Sequence, residues 1–200
     1  MLKLLLASQN LGKLREMQFI LQDLPIQIIS PAELGIQLDV EETGETYAEN
    51  AALKAKAFAK ASGLIALGDD SGLEVDALGG APGLYSARYA PIPNADDGDR
   101  RNFLLKKLAA YSRPWRARFR ATIAIALPNG EIYFSEGICE GEIILDERGS
   151  GGFGYDPIFY LPEKGCTMAE LAEDEKNRLS HRAKALEKAK EFIKGLSSAS

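Results

Sequence analysis

An α/β fold is predicted by three features of the sequence. Apolar runs of strand length occur at residues 2–7 and 64–67, helical patterns follow or precede them, and an Asn129-Gly130 turn separates two further apolar runs. The 200 residues suit a single domain over residues 1–196, with residues 197–200 as a frayed tail. A formal net charge of −5 places no basic stripe on the surface and argues against a nucleic-acid partner. The N-terminal apolar run is too short for a signal peptide and no apolar run has membrane-spanning length, so the expected location is cytoplasmic, with no membrane partner. Cys139 and Cys166 fit no zinc spacing and read as buried or bystander thiols.

Residues 2–7 read as a buried strand that runs into a helix over residues 11–24, where Leu11, Leu14, Met17, Leu21 and Leu24 recur at three- and four-residue spacing. Between them Ser8, Gln9, Asn10, Leu11, Gly12 and Lys13 form a turn with Asn10 as N-cap. Helix N–H groups, the positive end of the dipole and Lys13 suit a phosphate, or the turn is simply capped with Lys13 in solvent. Residues 27–30 and 36–40 are strand candidates on either side of Pro31 and Gly35. Glu41 and Glu42 close the second of them, placed either to touch a metal or to sit in solvent. Thr46 and Glu49 have capping-box spacing for an alanine-rich helix that Gly63 ends after Ser62.

Residues 64–67 deliver Asp69 and Asp70 to the C-terminal end of a buried strand, and Ser71 with a glycine-rich turn follows. Adjacent acids there suit a hard divalent cation that shares its shell with phosphate oxygens, or they cap backbone N–H groups in an Asx-type turn. A loop over residues 91–99 leads to a helix over residues 99–111. Residues 119–127 and 132–136 flank the Asn-Gly turn as a hairpin that serves as scaffold, in a second lobe or at a dimer face. Residues 149–154 match Gly-x-Gly-x-x-Gly, but extended sequence with Pro157 follows where a dinucleotide fingerprint needs a helix, so the match is discarded. What remains is a loop that presents Phe153, Tyr155 and Asp156, with the ring either stacked on a base or tucked into the core. Residues 168–196 read as helical, with Ser180 as an N-cap and Lys176, His181 and Arg182 near the start. His181 is the only histidine, which rules out a two-histidine metal motif.

Six blocks in order carry a resemblance. They are Ser8-x-Asn10-x-x-Lys13; Thr46-Tyr47-x-Glu49-Asn50-Ala51; Asp69-Asp70-Ser71-Gly72-Leu73; Gly79-Gly80-x-Pro82-Gly83-x-x-Ser86-Ala87-Arg88; Gly151 to Pro157; and Ser180-His181-Arg182. Together they resemble the inosine triphosphate pyrophosphatase family, in its bacterial dITP/XTP house-cleaning form, over nearly the whole chain. The resemblance implies an elongated mixed sheet flanked by helices, in two lobes with a central active-site cleft, and a homodimer. It implies hydrolysis of deaminated purine nucleoside triphosphates to the monophosphate and pyrophosphate. It assigns residues 8 to 13 to the triphosphate, Glu41 and Asp70 to Mg²⁺, and Asp70 to proton acceptance. Ser71 is implied as a substrate contact. Phe153, Gly154, Tyr155 and Asp156, with Lys176, His181 and Arg182, are implied as the nucleotide and base pocket. Residues 91–117 match least, and nothing catalytic is expected there. Two other readings fit the same residues: a pyrophosphatase for another modified nucleotide, and a regulatory module that binds a triphosphate without turnover.

Overall fold

A computed structural model describes residues 1–198. In chain order the elements are β1 (Leu2–Leu6), α1 (Leu11–Ile20), β2 (Ile26–Ile29), α2 (Tyr47–Ser62), β3 (Ile65–Val75) and α3 (Asp97–Leu108). Then come β4 (Trp115–Ala126), β5 (Ile132–Ile143), β6 (Phe159–Leu161), β7 (Cys166–Thr167), α4 (Glu173–Leu179) and α5 (His181–Ser198). One seven-stranded sheet runs in the order β2-β1-β3-β4-β5-β6-β7. It is mixed, because β1 pairs in parallel with β2 and β3 while β6 is antiparallel to β5 and β7. The α/β class read from the sequence is therefore correct. Among the described residues no helix is long and apolar enough to cross a membrane.

The chain divides into two compact units, with β3, β4 and β5 contributing to both. The first unit holds Met1–Asp70, Ala121–Gly137 and the chain from His181 onward. Its strands alternate between two apolar clusters, as the two-residue period of a strand requires. Leu4, Leu6, Leu67, Ile123 and Ile125 face Met17 and Ile20 of α1 and Leu186, Ala189 and Ile193 of α5. Leu5, Ala66, Ala124 and Ala126 face Ala51, Ala55 and Phe58 of α2. The small side chains of α2 allow a close approach at Gly68, where an added Cβ would lie 2.1 Å from the Ala51 carbonyl oxygen. The second unit, Ser71–Arg120 and Ile138–Ser180, packs Leu73, Val75, Trp115, Phe119, Cys139 and Phe159 against Leu104 and Leu108 of α3. The outward side of these strands is charged, with Arg118 paired to Asp76 and Arg120 Nε donating to Glu74 Oε1 at 3.0 Å.

Several boundaries differ from expectation for physical reasons. Residues 36–40 have the alternation of a strand, and Ile36, Leu38 and Val40 do pack on the α2-side cluster, but among the described residues no neighbouring strand pairs with them. The strand after Gly63 does not stop before the acids; β3 continues through Asp69 and Asp70 to Val75. The segment read as helical over residues 168–196 is two helices, with α4 starting only at Glu173; Ser180, read as an N-cap, is extended with ψ 157° directly before α5. α5 runs to Ser198, so the first two residues of the tail expected to fray are helical, and residues 199 and 200 lie outside the described residues. The strands joined by the Asn129-Gly130 turn are present but longer than read, Trp115–Ala126 and Ile132–Ile143. The first helix ends at Ile20, the helix read over residues 99–111 is Asp97–Leu108, and the short strands Phe159–Leu161 and Cys166–Thr167 were not anticipated. Both cysteines are free thiols.

Candidate active site

Neighbouring residues of a strand point to opposite faces, so Asp69 and Asp70 meet different surroundings. Asp69 faces the side covered by α1 and α5. It is 1% exposed, and its Oδ2 accepts from Arg182 Nε at 2.6 Å. The Arg182 guanidinium, itself 2% exposed, is also paired with Glu16 of α1. Lys13 Nζ lies 3.5 Å from Asp69 Oδ1 and donates to the Asp69 carbonyl at 3.3 Å. Burial alone would raise the Asp69 carboxyl, but Arg182 and Lys13 outweigh it and hold the group well below the usual carboxylate range. For Lys13 burial is the largest influence and lowers the ammonium, with Asp69 opposing it.

Asp70 faces α2. Its Oδ1 accepts from Lys54 Nζ at 3.1 Å and its Oδ2 from Asn50 Nδ2 at 3.3 Å. Lys54 also donates to Glu42 at 2.7 Å, so two carboxylates share one ammonium. Burial, reinforced by Glu42, raises the Asp70 carboxyl above its ordinary value despite Lys54. The two acids thus have opposite characters: Asp69 is fixed as an ion within the fold, and Asp70 is poised to take a proton. Asn50 and Lys54 were not singled out from the sequence. Their spacing of four puts them on one face of α2, above the strand that carries Asp70, and that spacing is the signal that could have found them. Glu16 was missed as well, since nothing local distinguishes it from a solvated helix position.

Ser8, Gln9, Asn10, Leu11, Gly12 and Lys13 form the turn into α1 as expected. Asn10 caps the helix by accepting from the N–H of Gly12 at 2.8 Å and of Lys13 at 3.1 Å, and its own N–H donates to Ser8 Oγ. Attraction for an anion there rests on Lys13 and the helix dipole more than on those two N–H groups. Glu41 is exposed, while Glu42 is drawn to Lys54. Ser71 follows Asp70 on β3 and is half-buried. His181 and Arg182 open α5, both buried. There α5 presses on β5: a Cβ on Gly137 would stand 2.0 Å from the His181 carbonyl oxygen.

In the second unit Phe153, Gly154, Tyr155, Asp156 and Lys176 come together. Asp156 Oδ2 accepts from the Phe153 N–H and from Lys176 Nζ, both at 2.9 Å. The same ammonium lies 5.0 Å from the centre of the Phe153 ring. Phe153 is 38% exposed, so the ring is presented to solvent and not tucked into the core. Gly152 has φ +73°, and a Cβ there would fall 2.0 Å from Asp156 Oδ2. Tyr155 is buried and donates its hydroxyl to the Ser86 carbonyl at 2.8 Å; burial raises its pKa. Ser86 Oγ in turn accepts from the Leu73 N–H, so the aromatic loop and the segment after Ser71 share a hydrogen-bonded framework.

Among the described residues no group of three or more His, Cys, Asp or Glu side chains converges on a metal position. Near Asp70 the oxygens that could serve a hard cation are the carboxylates of Asp70 and Glu42, and here Asp70 accepts from Lys54 and Asn50 and Glu42 from Lys54.

The model of the Ham1 family matches residues 4–192. The chain is 50% identical to the dITP/XTP pyrophosphatase of Desulforamulus reducens, covering 98% of this chain and 97% of that protein. The solved structure of a HAM1 protein from Coxiella burnetii superposes with a TM-score of 0.88 at 47% identity, over 96% of this chain and 98% of the other. The crystal structure of a nucleoside-triphosphatase, dITP/XTP pyrophosphatase, from Mycobacterium abscessus gives a TM-score of 0.74 at 37% identity, over 94% and 97% of the two chains.

Proposed function

The chain belongs to the Ham1 family, and from that premise we propose that it is a pyrophosphatase for deaminated purine nucleoside triphosphates. It hydrolyses ITP, dITP, XTP and dXTP at the α-β phosphoanhydride bond to the nucleoside monophosphate and pyrophosphate, and so clears them from the nucleotide pool. The observation that carries this reading is the division of labour on β3, with Asp69 locked to Arg182 and Asp70 turned to Lys54 with a raised pKa.

Residues 8 to 13 take the triphosphate, with Lys13 offsetting its charge. Glu41 and Asp70 are the residues that would hold Mg²⁺, which when bound neutralises phosphate charge and lowers the pKa of a coordinated water. Glu42, drawn to Lys54, leaves Glu41 as the carboxylate of that pair available for this role. Asp70 orients the attacking water and accepts its proton, and Lys54 steadies the Asp70 carboxylate. Ser71 touches the substrate. Phe153 stacks on the base, Gly154, Tyr155 and Asp156 shape the loop that carries it, and Lys176, His181 and Arg182 complete the nucleotide and base pocket. A 6-oxo purine matches a donor from His181 or Arg182, whereas adenine presents an amino donor and leaves it unmatched; guanine, also 6-oxo, is excluded through its 2-amino group. One such mismatch costs roughly 1 to 3 kcal/mol, about 5 to 150-fold. The protein acts in the cytoplasm as a homodimer, and sedimentation equilibrium tests the dimer.

Product analysis in ¹⁸O-water tests the reaction. The account requires IMP and unlabelled pyrophosphate from ITP, with the label in the IMP phosphate. IDP and inorganic phosphate would overturn it.

A further inference from the structure

We propose that the first turn of α3 is a clamp on the base loop, with Asp97 and Arg101 as positioning residues for base recognition; this rests on the reading of residues 153 to 156 as part of the base pocket. Asp97 Oδ2 accepts the Gly154 N–H at 2.8 Å, and Arg101 Nη1 donates to the Gly154 carbonyl, also at 2.8 Å. Side chains one helical turn apart therefore grip both polar groups of a single residue, and both bonds are charge-assisted.

Each arm of the clamp is braced. Arg101 makes a two-pronged contact with Glu147, Nε to Oε1 at 2.7 Å and Nη2 to Oε2 at 3.0 Å. Asp97 is paired with Arg100, whose Nη1 donates to the carbonyls of Ala87 and Ala95. The helix is started by a capping box between Asp96 and Asp99, which fixes where its first turn lies.

The gripped residue sits where a grip matters. Gly154 has φ +64° and no side chain to anchor it, so the groups that hold its N–H and C=O set the orientation of its peptides. Phe153 immediately precedes it and presents the ring. Elsewhere the loop is tied at Gly151, whose N–H donates to the Ala169 carbonyl at 3.0 Å, and at Asp156 through Lys176. Releasing Gly154 lets the Phe153 ring change its plane while those ties remain. Binding that depends on the base then weakens, and binding of phosphate alone does not.

The test compares Asp97→Ala and Arg101→Ala with Asp97→Asn, which keeps an acceptor oxygen. Readouts are KM and kcat for ITP, inhibition by inorganic triphosphate, and the thermal midpoint. KM for ITP is expected to rise about tenfold in both alanine variants and to recover largely in Asp97→Asn, while the triphosphate inhibition constant stays within about twofold. If Asp97→Ala does not fold, Arg101→Ala and Arg101→Lys carry the comparison. An unchanged KM in a folded Arg101→Ala variant, or parallel loss of ITP and triphosphate binding, overturns the clamp. Wild-type protein that fails to cleave ITP overturns the base-pocket reading itself, and the clamp with it.

Discussion

Replacing Arg182 by methionine removes the cation that two buried carboxylates share. Asp69 is 1% exposed and Glu16 7%, and the guanidinium is the cation paired with both. Removing one partner of such a pair costs up to about 3–5 kcal/mol where the remaining charge is left uncompensated, and Lys13, 3.5 Å from Asp69 Oδ1, offsets part of that cost. Most of that loss is a property of the orphaned acid, so removing Asp69 as well should return part of it. Urea denaturation of wild type, Arg182→Met, Asp69→Asn and the double variant forms the cycle. The double variant should be more stable than the sum of the single losses implies by about 2 kcal/mol, since contacting charges couple by roughly 0.5–3 kcal/mol. Strictly additive losses would show that Arg182 and Asp69 do not sense each other, and the fixed role of Asp69 would fall. The pH dependence has a definite sign. With its folded pKa depressed below 3.8, Asp69 contributes stability that is present above that value and lost as pH falls below it. Asp69→Asn should flatten that acid limb.

Asp70→Asn should lower kcat more than about tenfold, a loss above roughly 1.4 kcal/mol, with a smaller effect on stability than Asp69→Asn. Because burial and Glu42 raise the Asp70 carboxyl, direct titration of the metal-free protein should place it above 3.8, and a value at or below 3.8 would contradict that environment. Gly68→Ala should destabilise by about 1–3 kcal/mol by pushing α2 from β3, with loss of activity as Asn50 and Lys54 leave Asp70; retained activity at full stability would contradict that packing. Tyr155→Phe removes the donor to the Ser86 carbonyl and should cost about 1–2 kcal/mol in chemical denaturation while kcat stays near wild type; a large fall in kcat would make the hydroxyl a chemical participant.

What the sequence made legible is what is decided locally. Asn10 and Thr46 announce helix starts because capping joins residues two or three positions apart, and Gly63 announces a stop because it adopts φ +69°. The acids of β3 drew attention as a pair, yet their placement inside a continuous strand was hidden. A buried Asp69 is tolerable because Arg182 and Lys13, distant in sequence, meet it in space. The same holds for Lys54 beside Asp70 and for Asp97 and Arg101 on Gly154. Residues 36–40 show the converse: alternation reports burial of one face, but a strand also needs a neighbour for its backbone.

The central claim is metal-assisted hydrolysis selective for deaminated purines, and pyrophosphate release from ITP, XTP, GTP and ATP at equal concentration measures it directly, with Mg²⁺ and then with chelator. The account predicts release from ITP and XTP that exceeds ATP and GTP by about a hundredfold and disappears with chelator. Equal rates on all four nucleotides, or release unaffected by chelator, would contradict it.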